Sequence, residues 1–237
     1  MAGAVLTGAE ARRERNRREM REIIQDAALE IISEQGMSAL TMRGLAQAIG
    51  YSPAALYEYF PAKEDLYASL FITGRDGFTE RIRTHLAALS PNASANERLH
   101  VLGHAYRAYA HEQPDLFRMA LGDPRPSPTP GFQPQSIQQT AGTRRTAIDL
   151  LLAIVAEGID RDEFAPAPAM TIAIAAWSTI HGFVMLELNG HLAPEEPSDA
   201  TGQTVTDESA ESPDDLFAAT LRLILAGFER RSPATPE

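Results

Sequence analysis

The chain has 237 residues, long enough for one large core or two small ones, with a net charge of −11 at pH 7 and no cysteine. The missing thiol excludes disulfides, thiolate catalysis and Cys-ligated zinc. Charges near the N-terminus argue against a secretory leader, and the absence of a run of about eighteen apolar residues argues against a membrane span. The acidity is uneven: residues 1–65 hold 8 Lys and Arg against 10 Asp and Glu, whereas residues 66–237 hold 13 against 22.

Residues 1–16 are expected to form a flexible basic arm. Arg12, Arg13, Arg15, Arg17, Arg18 and Arg21 cluster there and just beyond, and such a run can track phosphates or simply open a solvated helix. From about Arg17 to Gln35 the pairs Ile23/Ile24, Ala27/Ala28 and Ile31/Ile32 recur every four residues, predicting a helix that Gly36 ends.

Thr41 is an N-cap candidate, Leu45, Ala46 and Ile49 recur at helical spacing, and Gly50 follows the last of them. Ser52 can cap again, with Pro53 at the first helical position. Two short helices joined by so brief a glycine-containing turn read as a helix-turn-helix. Leu45, Ile49, Leu56 and Phe60 are expected to pack on the first helix as a three-helix core.

Beyond Lys63 the apolar pattern runs through Leu66, Leu70, Phe71, Phe78, Ile82 and Leu86 to Leu89, one long helix with expected loosening at Gly74 and Gly77. Ser90-Pro91-Asn92 breaks it. Further helices are expected over 95–112, 115–121, 135–158, 166–189 and from Pro213 to Phe228. The stretch 122–134, with five prolines and two glycines, and the acidic, Ser/Thr-rich stretch 190–213 read as loops. The class is all-α, about nine helices: a helix-turn-helix domain at 17–66, a larger helical bundle at 67–231 and a flexible tail at 232–237.

Thr41, Leu45-Ala46, Gly50, Ser52, Leu56-Tyr57, Tyr59-Phe60 and Lys63-Glu64-Asp65-Leu66 together resemble the DNA-binding domain of the TetR/AcrR transcriptional regulators. Ala62 departs from that pattern, where Ser, Thr or Asn more often caps the fourth helix; Glu64 and Asp65 can compensate through the helix dipole. The resemblance implies that Ser52, Pro53, Ala54, Ala55 and Tyr57 face a major groove. Tyr57 and Tyr59 can offer hydroxyls to phosphate or bury their rings. Thr41 can both cap and contact phosphate, and Lys63 anchors phosphate. Arg43 is the candidate for bidentate readout of guanine, against a phosphate contact or solvation.

Trp177, His181 and Gly182 resemble the Trp-His-Gly pattern in the ligand-binding half of one TetR subgroup. Trp177 and His181 share a helix face, as pocket wall or as core pair. Tyr106, Tyr109, Phe117, Met119 and Phe132 are further wall candidates, with core packing as the alternative. The family implies a cytoplasmic homodimer through the last two helices, a palindromic operator in double-stranded DNA, repression relieved by a small-molecule effector with the fourth helix as lever, no cofactor and no membrane.

Two rival readings stand beside this one. Glu97, His100 and His104 have a spacing that can hold a metal in an enzyme, although no nucleophile elbow, phosphate loop or zinc-protease pattern is present. A helical protein-interaction module that keeps the helix-turn-helix as scaffold is the other.

Overall fold

Alanine, arginine and glutamate dominate the first thirty residues, and a chain so rich in strong helix formers coils before its apolar face begins. In the computed structural model of the protein, which describes residues 8–122, 146–192 and 212–230, helix α1 accordingly runs Gly8–Gln35. The expected flexible arm is thereby corrected over residues 8–16; residues 1–7 lie outside the described residues. Ile24, Ala28 and Ile32 of α1 are buried, Ala27 and Ile31 pack partly buried at the edge of the same core, and Ile23 is exposed, because sequence neighbours point about 100° apart and one of each pair faces the core more directly.

Helix α2 (Met42–Ala48) begins at Thr41, whose Oγ1 accepts a hydrogen bond from the Gly44 N–H at 3.0 Å. It ends in a Schellman turn: Gly50 takes φ 73°, its N–H donates to Gln47 and the Tyr51 N–H donates to Ala46. Helix α3 (Pro53–Tyr57) follows at once, with Ser52 Oγ accepting from the Ala55 N–H at 3.2 Å. At the start of α4 (Lys63–Ala87), the Ala62 N–H donates to the buried Asp65 carboxylate at 2.9 Å. That bond fills the role of the missing cap, more directly than the dipole compensation expected.

Leu40, Leu45, Leu56, Phe60, Leu66 and Leu70 close the core against α1; Ile49, expected among them, is only partly buried. Helix α6 (Pro114–Phe117), continued by a π-turn over Arg118–Gly122, adds Met119 to the same core. Described residues up to Gly77, together with 115–122, therefore form one compact unit, and the remainder form a second. The boundary expected at 66/67 moves because α4 still supplies Leu70 to the first core. The expected loosening of α4 is also absent. Gly74 permits close packing instead, since a Cβ there would stand 2.9 Å from the Leu116 carbonyl oxygen.

In the second unit α5 (Ala95–Glu112) packs against α7 (Ala147–Asp160), α8 (Ala169–Leu188) and α9 (Pro213–Phe228). Reciprocal bonds between Ser94 and Glu97 open α5, Asp149 accepts from the Thr146 N–H at α7, and Ser212 caps α9. Buried Tyr106, Val155, Ala173, Val184, Phe217 and Leu221 form the centre. The Ala165 N–H donates to Phe228 and the Arg230 N–H to Glu163, tying the end of α9 to the α7–α8 turn. The expected loop stretches at 123–134 and 193–211, the helix start at 135–145 and the tail at 232–237 lie outside the described residues.

Among the described residues there are nine α-helices and no strand beyond one isolated bridge. One expectation is overturned by α8, whose 20 residues are long and apolar enough, by length and composition alone, to cross a membrane. Its Ile172, Ala173, Ala176, Ile180 and Val184 are buried and Glu187 pairs with α5, the pattern of a helix packed in a bundle.

Candidate functional site

The two N-caps of the helix-turn-helix decide what its outer surface presents. Because Leu45, Ala46 and Leu56 turn inward, Thr41, Arg43, Gln47, Tyr51, Ser52, Pro53, Ala54 and Tyr57 are exposed together in sequence order. Ala55 is half-buried. Tyr51 and Gln47 were not singled out by the sequence, although Gln47 lies one turn beyond Arg43 and Tyr51 sits in the turn itself. Lys63 is half-buried with its Nζ 5.0 Å from the Tyr67 ring centre, a cation–π contact that orients it.

Tyr59 packs inward against the core. Arg17 stands over its ring at 5.7 Å and donates to the Glu58 carbonyl at 2.7 Å; Arg21 donates to the Tyr59 carbonyl at 3.2 Å. These carbonyls close the end of α3, where the backbone leaves acceptors without intrahelical donors. Two of the six arginines expected at phosphate thus hold the second helix of the motif in place. Arg12, Arg13, Arg15 and Arg18 are exposed along α1.

In the second unit the structure brings Tyr106, Trp177 and His181 into one chain of hydrogen bonds. The Trp177 indole N–H donates to the Tyr106 oxygen at 3.4 Å, and the Tyr106 hydroxyl and His181 Nδ1 share a hydrogen bond at 2.7 Å. Burial pushes the Tyr106 and Tyr109 phenols well above their ordinary range and holds the His181 imidazole below its own. Phe78 meets Tyr106 edge-on at 5.1 Å and Tyr109 at 5.5 Å. Phe117 and Met119, proposed for the same wall, belong to the first unit, where Met119 fills the core. Their spacing from Tyr109 along the sequence could not reveal that. Phe132 lies outside the described residues.

The metal reading meets a simple obstacle. Glu97 accepts from the Ser94 N–H at 2.7 Å and from Ser94 Oγ at 2.9 Å, and this cap holds its carboxyl below the ordinary pKa range. His104 sits edge-on to Phe217 at 5.3 Å. Among the described residues no group of three His, Cys, Asp or Glu can hold a metal ion.

Residues 24–70 match the family model of bacterial regulatory proteins of the tetR family, and residues 99–224 match that of the tetracyclin repressor-like C-terminal domain. An uncharacterised HTH-type transcriptional regulator of Mycobacterium tuberculosis is 28% identical over 216 residues, covering 90% of this chain and 83% of that one. The nucleoid occlusion factor SlmA of Salmonella paratyphi B is 37% identical over 108 residues, 46% of this chain and 52% of its own. Among solved structures, a protein of unknown function from Rhodococcus sp. RHA1 superposes with a TM-score of 0.67 at 22% identity, covering 89% of this chain and 95% of its own. A TetR family transcription regulator from Marinobacter aquaeolei VT8 gives 0.59 at 20% identity, with 93% and 100% covered. With the helix-turn-helix at one end and the matching helical bundle at the other, this chain belongs to the TetR family of DNA-binding transcriptional regulators.

Proposed function

We propose that the protein is a homodimeric repressor that binds a palindromic operator and is released by a small-molecule effector. The observation that carries the DNA half of this reading is the exposed row Thr41, Arg43, Ser52, Pro53, Ala54 and Tyr57, presented on two capped helices whose inner faces are committed to the core. In this assignment α3 enters the major groove. Pro53, Ala54 and Ala55 lack polar side-chain groups and suit thymine methyls or close approach, while Thr41, Tyr57 and Lys63 contact phosphate and Arg43 reads guanine. Tyr59, stacked under Arg17, is placed with the core rather than with the phosphates.

Exposed Met170, Ile174, Trp177 and Leu186 on α8 and Leu223 on α9 support dimerisation through the last two helices. A two-fold axis there spaces the reading heads about one duplex turn, about 34–36 Å, apart. Gly182, whose added Cβ would meet nothing within 4 Å of its own chain, suits the close approach of a second copy's helix. Effector binding in the second unit then shifts the population away from the DNA-binding spacing, with α4 as lever.

The test is a salt-titrated mobility-shift assay on duplexes selected from a random pool. A steep fall of affinity with salt and a palindromic consensus are expected; a chain that selects no duplex, or whose binding ignores salt, overturns the assignment.

A further inference from the structure

Outside the Tyr106–Trp177–His181 chain, the second unit has a groove lined by His85 of α4, His104, Arg107 and His111 of α5, and Asp214 of α9. Three of the six histidines of an acidic protein face one groove with an arginine. Arg107 is held by two carboxylates of opposite character. Glu187, with a side chain only 9% exposed, accepts from Nε at 2.8 Å and from Nη2 at 2.5 Å, and also pairs with His111 at 2.9 Å. Asp214 takes Nη1 at 2.6 Å with its side chain 83% exposed.

The buried partner is structural: removing it strands a guanidinium that also stacks 5.0 Å from the Phe217 ring. The exposed partner is exchangeable, since such pairs contribute about 0–1 kcal/mol. We propose that this groove binds a small monocarboxylate, which replaces Asp214 on Arg107 Nη1 while Glu187 keeps the rest of the guanidinium. A monocarboxylate presents Arg107 Nη1 with the same single charge that Asp214 does, whereas a dianionic phosphate would bring a second negative charge beside Glu187. Ala105 and Ala108 in the lining, with Phe217 beneath Arg107, leave room for an apolar body on the acid.

The consequence reaches α9, because Asp214 lies in its first turn. Displacing it unfastens the start of that helix from α5. The inference rests on the effector-responsive reading above and names the effector's class.

Benzoate serves as the probe and benzamide as its neutral match, titrated into the full-length protein by calorimetry, with Trp177 emission as a second readout. Saturable benzoate binding is expected, with benzamide about tenfold or more weaker, the loss of one charge-assisted bond. Asp214→Asn removes the competitor and tightens benzoate several-fold; Arg107→Gln abolishes binding. Equal affinities for acid and amide, or an unchanged affinity in Asp214→Asn, overturn the site even if Arg107→Gln fails to fold. The same preparations are run against operator DNA. A protein that binds operator and ignores benzoate loses this site but keeps the regulator reading, and one that takes up benzoate without binding any duplex does the reverse.

Discussion

Arg43 and Arg18 are both exposed arginines of the first unit, and their proposed roles separate by measurement. Arg43→Ala is expected to lose about 1–3 kcal/mol of discrimination at one base pair per half-site, read from affinities for a set of single-substituted operators; an equal loss on every sequence reassigns it to phosphate. Arg18→Gln is expected to lower the salt slope by about 1 without changing the melting temperature. Arg21→Gln should do the opposite first: it removes the donor on the Tyr59 carbonyl and lowers stability by about 1.5–3 kcal/mol, the range for a charged hydrogen bond. An unchanged melting midpoint would show that Arg21 does not hold the end of α3. The residue-level lesson follows from distance along the chain. Thr41, Gly50 and Ser52 announce their roles because their partners lie within a few residues, whereas Arg17 and Arg21 find theirs 41 and 38 residues away. No local pattern encodes that.

Helices show the same divide between local and distant causes. Their existence was legible in periodicity and caps, and α5 and α9 begin where Ser94 and Ser212 cap them. The continuity of α4 was not legible, because glycine propensity weighs against it and only the approach of Leu116 explains why Gly74 is there. The Asp65 bond to the Ala62 N–H was half legible, since Asp65 was noted for its charge alone. Gly158 in α7 is the sharpest case of close packing. A Cβ there would lie 2.4 Å from the Phe164 ring and 2.7 Å from Ala95, so Gly158→Ala must push apart α7, the turn after it and the start of α5. Despite the gain in helix propensity, a net loss of about 1–3 kcal/mol is expected, measured by denaturant melts. Gly227→Ala in α9, which meets nothing within 4 Å, is the control and should be neutral or stabilising.

At the scale of the whole molecule, two groups of titratable side chains, the partly desolvated His181 and His104 and the buried Tyr106 and Tyr109, bound the stable pH range. Burial lowers the His181 and His104 pKa values below 6.5, with His100 and Arg107 adding to the effect on His104. The unfolded chain therefore takes up protons first as pH falls through 6.5, and stability is lost below that point. Tyr106 and Tyr109 are raised above 10 by burial, so stability is lost again as pH rises past 10, where only the unfolded chain ionises. His181→Gln, which still offers Tyr106 an acceptor, should flatten the melting-temperature slope between pH 7 and 5.5; an unchanged slope removes His181 from the acid limb. The proposed dimer is tested at the same scale. Leu223 is 76% exposed, an apolar side chain that contributes little to the protomer's own core, so Leu223→Glu should leave helicity intact. Across a two-fold interface the same change brings two buried charges together, and a charge at an interface core costs far more than one at its rim. Sedimentation should then find a protomer for the variant and, as the proposal requires, a dimer for the parent chain. Affinity for the palindrome should fall toward that for a single half-site, because the second reading head no longer binds at high effective concentration. A Leu223→Glu protein that stays dimeric and keeps full operator affinity would move the two-fold axis away from this part of α9.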